Sequence, residues 1–181
     1  MKLLIVQTSP CHTGSTFLIN ALYGLIPELS NKRIITKWKL WSVENFDEFF
    51  KNIVIIKDHD TNIDNLIEKY NHYKEVVFVC SERKEINALI DEKYKTYNNT
   101  IVFSFEELNE TKNNSLLEIV DNIYMKVKTV LPEDIELDKT KCIERLNNMN
   151  IRYEEIKDYN FNYVDPFFEI HGSHRNRKKQ C

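Results

Sequence analysis

The 181-residue chain carries 25 basic and 28 acidic residues, a formal net charge of -3 and a hydrophobic fraction of 42%. That size and composition predict one domain, spanning 1–181, with a core that needs no disulfide support. The near balance of charge supplies no global field for nucleic acid or for an anionic membrane, so any anion site has to be local.

The first β-rich run, Leu3–Gln7, contains an apolar stretch, Leu3–Val6, that is too short for a signal-peptide core, and no segment approaches the roughly 20 apolar residues of a spanning helix. The expectation is a cytoplasmic protein with no membrane partner. Four scattered cysteines, Cys11, Cys80, Cys142 and Cys181, lack the paired spacing of a disulfide framework or a zinc site and predict reduced thiols. Further β-rich runs follow at Arg33–Trp38, Ile53–Lys57, Glu75–Cys80 and Thr100–Phe105. Three of the runs (LLIV, IVII, VVFV) are continuously apolar, as strands of a parallel sheet are when both faces are covered. Helical patterns lie between them at Phe17–Leu25, Val43–Lys51, Asn62–Tyr73 and Lys84–Tyr97. Two more, Ser115–Val130 and Asp138–Ile156, follow the last strand, with Asp138 as the N-cap of the second. Strand and helix alternate, so the predicted class is α/β, with roughly five parallel strands covered on both faces. The core is expected over 1–157, followed by an aromatic and basic segment over 158–181.

The loop SPCHTGSTF, Ser9–Phe17, joins the first strand to the first helix. Amide groups at a helix start lack intrahelical acceptors, and the helix dipole adds partial positive charge, so an oxyanion can be held there. Gly14 would let the backbone approach such an anion, with hydroxyls from Thr13, Ser15 and Thr16 and the imidazole of His12 as further donors. The loop lacks the first glycine and the lysine of the Walker signature, which disfavours an ordinary nucleotide hydrolase. A helix cap and a tight turn would account for the same residues without any ligand.

These residues resemble the first loop of the sulfotransferases, P-loop-like enzymes that use 3'-phosphoadenosine 5'-phosphosulfate (PAPS). His12, Thr13, Gly14, Ser15, Thr16 and Phe17 fall on the family's pattern, with His12 where Lys or Arg is usual. IIKDHDTN is similar to the family's strand end of lysine, one residue, then histidine. The resemblance implies His59 as general base, with Asp58 or Asp60 orienting its ring, and Lys57 on the bridging oxygen. In VFVCSERKEINALI the family's 3'-phosphate arginine is replaced by Ser81, with Arg83 two residues on, and Leu89 stands near the expected serine. Phe105, Glu106, Glu107 and Leu108 resemble a later family motif of structural role.

The tail HGSHRNRKKQC offers Arg175 and Arg177 as further cations for that phosphate, and no metal site is expected from its His171 and His174. The resemblance therefore implies a P-loop-like three-layer sandwich, PAPS as donor, 3',5'-ADP as product, and a hydroxyl or amine acceptor. A non-catalytic protein of the same fold that binds a nucleotide or a partner, and a kinase with a degenerate P-loop, are the alternative readings.

Overall fold

The computed structural model describes residues 3–30, 32, 34–36, 52–110, 114–156, 165 and 167–170. Four parallel strands make the sheet: β1 (Leu3–Thr8), β3 (Ile53–Asp58), β4 (Glu75–Glu82) and β5 (Thr100–Ser104). A two-residue ladder, β2 (Ile35–Thr36), pairs with β3 at one edge, within the run expected as a strand over 33–38. The order is β2-β3-β1-β4-β5. All six residues of β1 and of β3 are buried, which explains why their first four residues, LLIV and IVII, are continuously apolar rather than alternating.

Four helices occur among the described residues: α1 (Ser15–Leu25), α2 (Ile63–Lys69), α3 (Leu116–Lys128) and α4 (Lys139–Ile156). The expected helix over Val43–Lys51 lies outside the described residues. The crossover from β1 to β2 and the one from β3 to β4 run in opposite directions across the sheet. Because parallel crossovers are right-handed, α1 and α2 lie on opposite faces. Side chains agree with that assignment: Lys57 is bound on the α1 side, while its neighbour Asp58 meets Lys69 at 2.8 Å and Tyr70 at 3.3 Å at the end of α2.

Local chemistry sets the helix ends. Asn62 caps α2 by accepting the Asn65 amide at 3.3 Å. Ser115 and Glu118 form a reciprocal capping box on α3, and α3 buries Ile119, Val120, Ile123 and Val127, one stripe of the helix. The Asp138 carboxylate accepts the Lys141 amide at 3.0 Å, as expected of the N-cap of α4. Helix α4 crosses α1 at Gly24, where an added Cβ would lie 2.8 Å from the Cys142 Cα and 3.1 Å from the Arg145 Cβ. Only glycine permits that approach.

The expected helix over Lys84–Tyr97 does not form. Two short 3-10 turns, Lys84–Ile86 and Glu92–Thr96, replace it, with Asn87 between them at φ +53°. The cause is Glu82, 6% exposed: its carboxylate accepts the Ile90 amide at 3.2 Å and pairs with Lys95 Nζ at 2.8 Å. Arg83 and Ala88 exchange backbone hydrogen bonds across the bend. Leu89 and Ile86 consequently face solvent instead of forming a helical stripe.

Among the described residues no helix is long and apolar enough to cross a membrane.

Candidate functional site

β1 is central, with β3 on one side and β4 on the other. The chain leaves β1 toward one edge of the sheet and leaves β4 toward the other, so the carboxyl ends of these neighbours form a topological switch point, where open α/β sheets bind ligands. The loop from Ser9 to Gly14 starts there and runs into α1.

Gly14 is the N-cap residue of α1, at φ +85° and with no side-chain cap. His12 also takes a left-handed backbone, φ +66°. Among the described residues, no group accepts a hydrogen bond from the N–H groups of residues 14–17. The first turn of α1 carries no acidic residue. A row of donors at a helix start, with no internal carboxylate to occupy it, is an arrangement that can hold an oxyanion. The space beside Gly14 belongs to protein, however: a Cβ there would lie 3.1 Å from Leu108 Cδ1 and 3.5 Å from Phe105 Cδ2. The glycine thus admits the Phe105–Leu108 turn as well as the left-handed backbone.

The hydroxyls divide into two groups. Thr13 is fully buried, donating to the Pro10 carbonyl at 2.9 Å and meeting Ser81 Oγ at 2.9 Å. Ser81, also fully buried, gives its amide to Ser9 Oγ at 2.8 Å. Thr13 and Ser81 therefore brace the loop from beneath, where their side chains tie β1 to β4. Ser15 is 7% exposed and Thr16 half-buried at the start of the helix.

His59 is exposed just beyond β3, and its Nδ1 lies 3.2 Å from the Ser9 carbonyl. A carbonyl can only accept, so this contact places the proton of the neutral ring on Nδ1 and leaves Nε2 as a lone-pair base. The ring is oriented by Ser9, which corrects the expectation that an aspartate does so. Asp58 faces the opposite side of the sheet, and the Asp60 carboxylate accepts the Asn62 amide at 3.0 Å.

The two expected cations among the described residues both hold carboxylates. Lys57 is 4% exposed, and its Nζ lies 3.1 Å from Glu169 Oε1. Arg83 pairs with Glu85 at 2.7 Å and stacks 4.0 Å over the Phe105 ring. Since Phe105 also abuts Gly14, that stacking brings the guanidinium to the loop's flank. The fold gathers the loop residues His12–Thr16, His59 and Arg83 around the end of β1, with Lys57 and Ser81 beneath. Arg175 and Arg177 lie outside the described residues.

Glu169, Asn20, Gln7 and Ser9 belong to the same neighbourhood and were not singled out from the sequence. A signal was present: Gln7 breaks off the apolar run LLIV within β1, and Asn20 interrupts the apolar run LINALYGL. Of the cysteines, Cys11 is exposed in the loop. Cys80 and Cys142 are core thiols, each pushed up to about 12 by burial. Among the described residues no cluster of three or more His, Cys, Asp or Glu could hold a metal ion.

A cavity of about 480 Å³ lies at the opposite end of the sheet, lined by Leu3, Ile53 and Glu75 at the strand starts and by Glu28 and Asp134. It is remote from the switch point. No family model matches this chain, and no curated protein and no solved structure matches it either.

Proposed function

We propose that this chain is a sulfotransferase-like enzyme that moves a sulfuryl group from PAPS to a hydroxyl or amine acceptor. One observation carries the reading: the loop that ends in the uncapped start of α1 has the His59 imidazole at its beginning, with Nδ1 3.2 Å from the Ser9 carbonyl. The P-loop-like form of the sandwich, with roughly five parallel strands, is part of the same proposal.

In this mechanism the amides of residues 14–17 and the Ser15 and Thr16 hydroxyls hold the donor's 5'-phosphosulfate. The acceptor oxygen attacks sulfur in line while His59 Nε2 takes its proton. The bond from sulfur to the bridging oxygen breaks, and the charge collects on the phosphate of departing 3',5'-ADP. Donors already aimed at that oxyanion lower the barrier without reorganising. Lys57, once released by Glu169, would stabilise the bridging oxygen, and Arg83 would serve the 3'-phosphate, for which a planar guanidinium suits bidentate binding.

The test is titration with 3',5'-ADP, followed by PAPS turnover. At a nucleotide concentration of 100 times Kd, binding adds about 2.7 kcal/mol, a rise in Tm of roughly 5–10 °C for a chain of this size. His59→Ala should keep the shift and lose transfer; no shift at millimolar nucleotide overturns the proposal. The engagement of both cations by carboxylates favours a second reading, a non-catalytic nucleotide- or partner-binding protein of this fold. Nucleotide binding with no turnover of PAPS by the unmodified protein would select it.

A further inference from the structure

Asp165 and residues 167–170 form a strap over α1 and α4. Arg152 Nε donates to Asp165 Oδ2 at 2.8 Å, and the Phe167 and Phe168 amides donate to Asp165 Oδ1 at 2.8 and 3.1 Å. Arg145 donates to the Phe167 carbonyl and lies 5.0 Å from the Phe168 ring centre. Asn20, fully buried in α1, takes both backbone groups of Glu169: Nδ2 donates to its carbonyl at 3.4 Å, and Oδ1 accepts its amide at 3.2 Å. The same Nδ2 donates at 2.7 Å to the carbonyl of Thr16, in the first turn of α1.

This stitching seats the Glu169 carboxylate 3.1 Å from Lys57 Nζ, with the two residues 8% and 4% exposed. Gln7, the register neighbour of Lys57 on β1 and fully buried, has an Oε1 with no partner among the described residues. Turning the amide over would only move the unmet need to its nitrogen, since a single group, Ser9 Oγ, meets the other end. The closed arrangement therefore leaves polar capacity unused beside Lys57, and an ammonium held by a resident carboxylate is withheld from a bound oxyanion.

We propose that the strap is a carboxylate gate on the anion site: Glu169 occupies Lys57 until an anionic ligand on the β1–α1 loop takes the ammonium over and the strap leaves α1. Asn20 couples the two events, because it touches both the first turn of α1 and the strap. The gate rests on the reading of that loop as an anion cradle. Closure lowers the apparent affinity by the fraction of molecules that are open.

Titration calorimetry of the full chain with 3',5'-ADP tests it. Glu169→Gln should bind about 5- to 20-fold more tightly than the unmodified protein. Asn20→Ala, which leaves both charges in place and serves should the first variant fail to fold, should bind about threefold more tightly. Saturating nucleotide should speed hydrogen exchange at the Glu169 amide of the unmodified protein. Equal affinity in the variants, with that amide equally protected with and without nucleotide, overturns the gate and leaves the cradle standing. No binding by any of the three proteins overturns the cradle, and the gate with it.

Discussion

Two loops leave the sheet at the switch point, one from β1 and one from β4, and they solve the same problem in opposite ways. The loop after β4 closes on itself: Glu82 takes the Ile90 amide and Lys95, Arg83 takes Glu85, and Asp64 of α2 takes Lys93 and Tyr97. The loop after β1 has no carboxylate between Ser9 and Phe17, and the amides of residues 14–17 have no acceptor among the described residues. Internal acid satisfies one loop; its absence leaves the other with donors to offer. Local charge inventory, rather than glycine content, separates a self-sufficient loop from one suited to an anion.

The contrast breaks most visibly at Glu82. Glu82→Ala leaves the buried Ile90 amide without its acceptor, while Lys95 keeps Glu92 at 2.7 Å, and should cost about 2–3 kcal/mol in urea unfolding, an outcome read in the midpoint. Gly14→Ala comes next, at about 1–2 kcal/mol, because it forces a side chain into a left-handed backbone and against Leu108; nucleotide affinity should fall with it. Thr13→Val removes one brace beneath the open loop and should lower stability by about 1 kcal/mol, while Ser81 keeps its bond to Ser9.

The smallest effect is in acid. Hydrogen bonds from Lys93 and Tyr97 hold the Asp64 carboxyl below its ordinary value of 3.8. A depressed acid contributes fully above 3.8 and progressively less as pH falls through its lowered folded value. Amide exchange over 84–97, corrected for intrinsic rates, should therefore quicken below pH 3.8. The β1–α1 loop, with no carboxylate to protonate, should respond less. Equal loosening of the two loops would erase the distinction.

Much of the sheet was legible because burial on both faces writes an unbroken apolar run, and β1, β3 and β4 obey it. The helix expected after β4 was misread for a physical reason: Ile86, Leu89, Ile90 and Tyr94 have helical spacing, yet Asn87 turns left-handed and a buried glutamate outcompetes the helical hydrogen bonds. The histidine and the loop could be named from local order alone. Glu169 could not, since its partner Lys57 stands 112 positions away and nothing local marks that carboxylate as buried. The role of Ser9 was hidden similarly, because its carbonyl, not its side chain, orients His59.

Gly24 fixes one end of α1. With the Cys142 backbone pressed against it and the Asp138 amide bonded to the Leu25 carbonyl at 2.8 Å, the helix is clamped near its carboxyl end. This clamp and the uncapped turn at Ser15 stand at opposite ends of the same 11-residue helix. Asn20 stands midway between the two, fully buried, with its side chain bonded both to the first turn of the helix and to the Glu169 backbone.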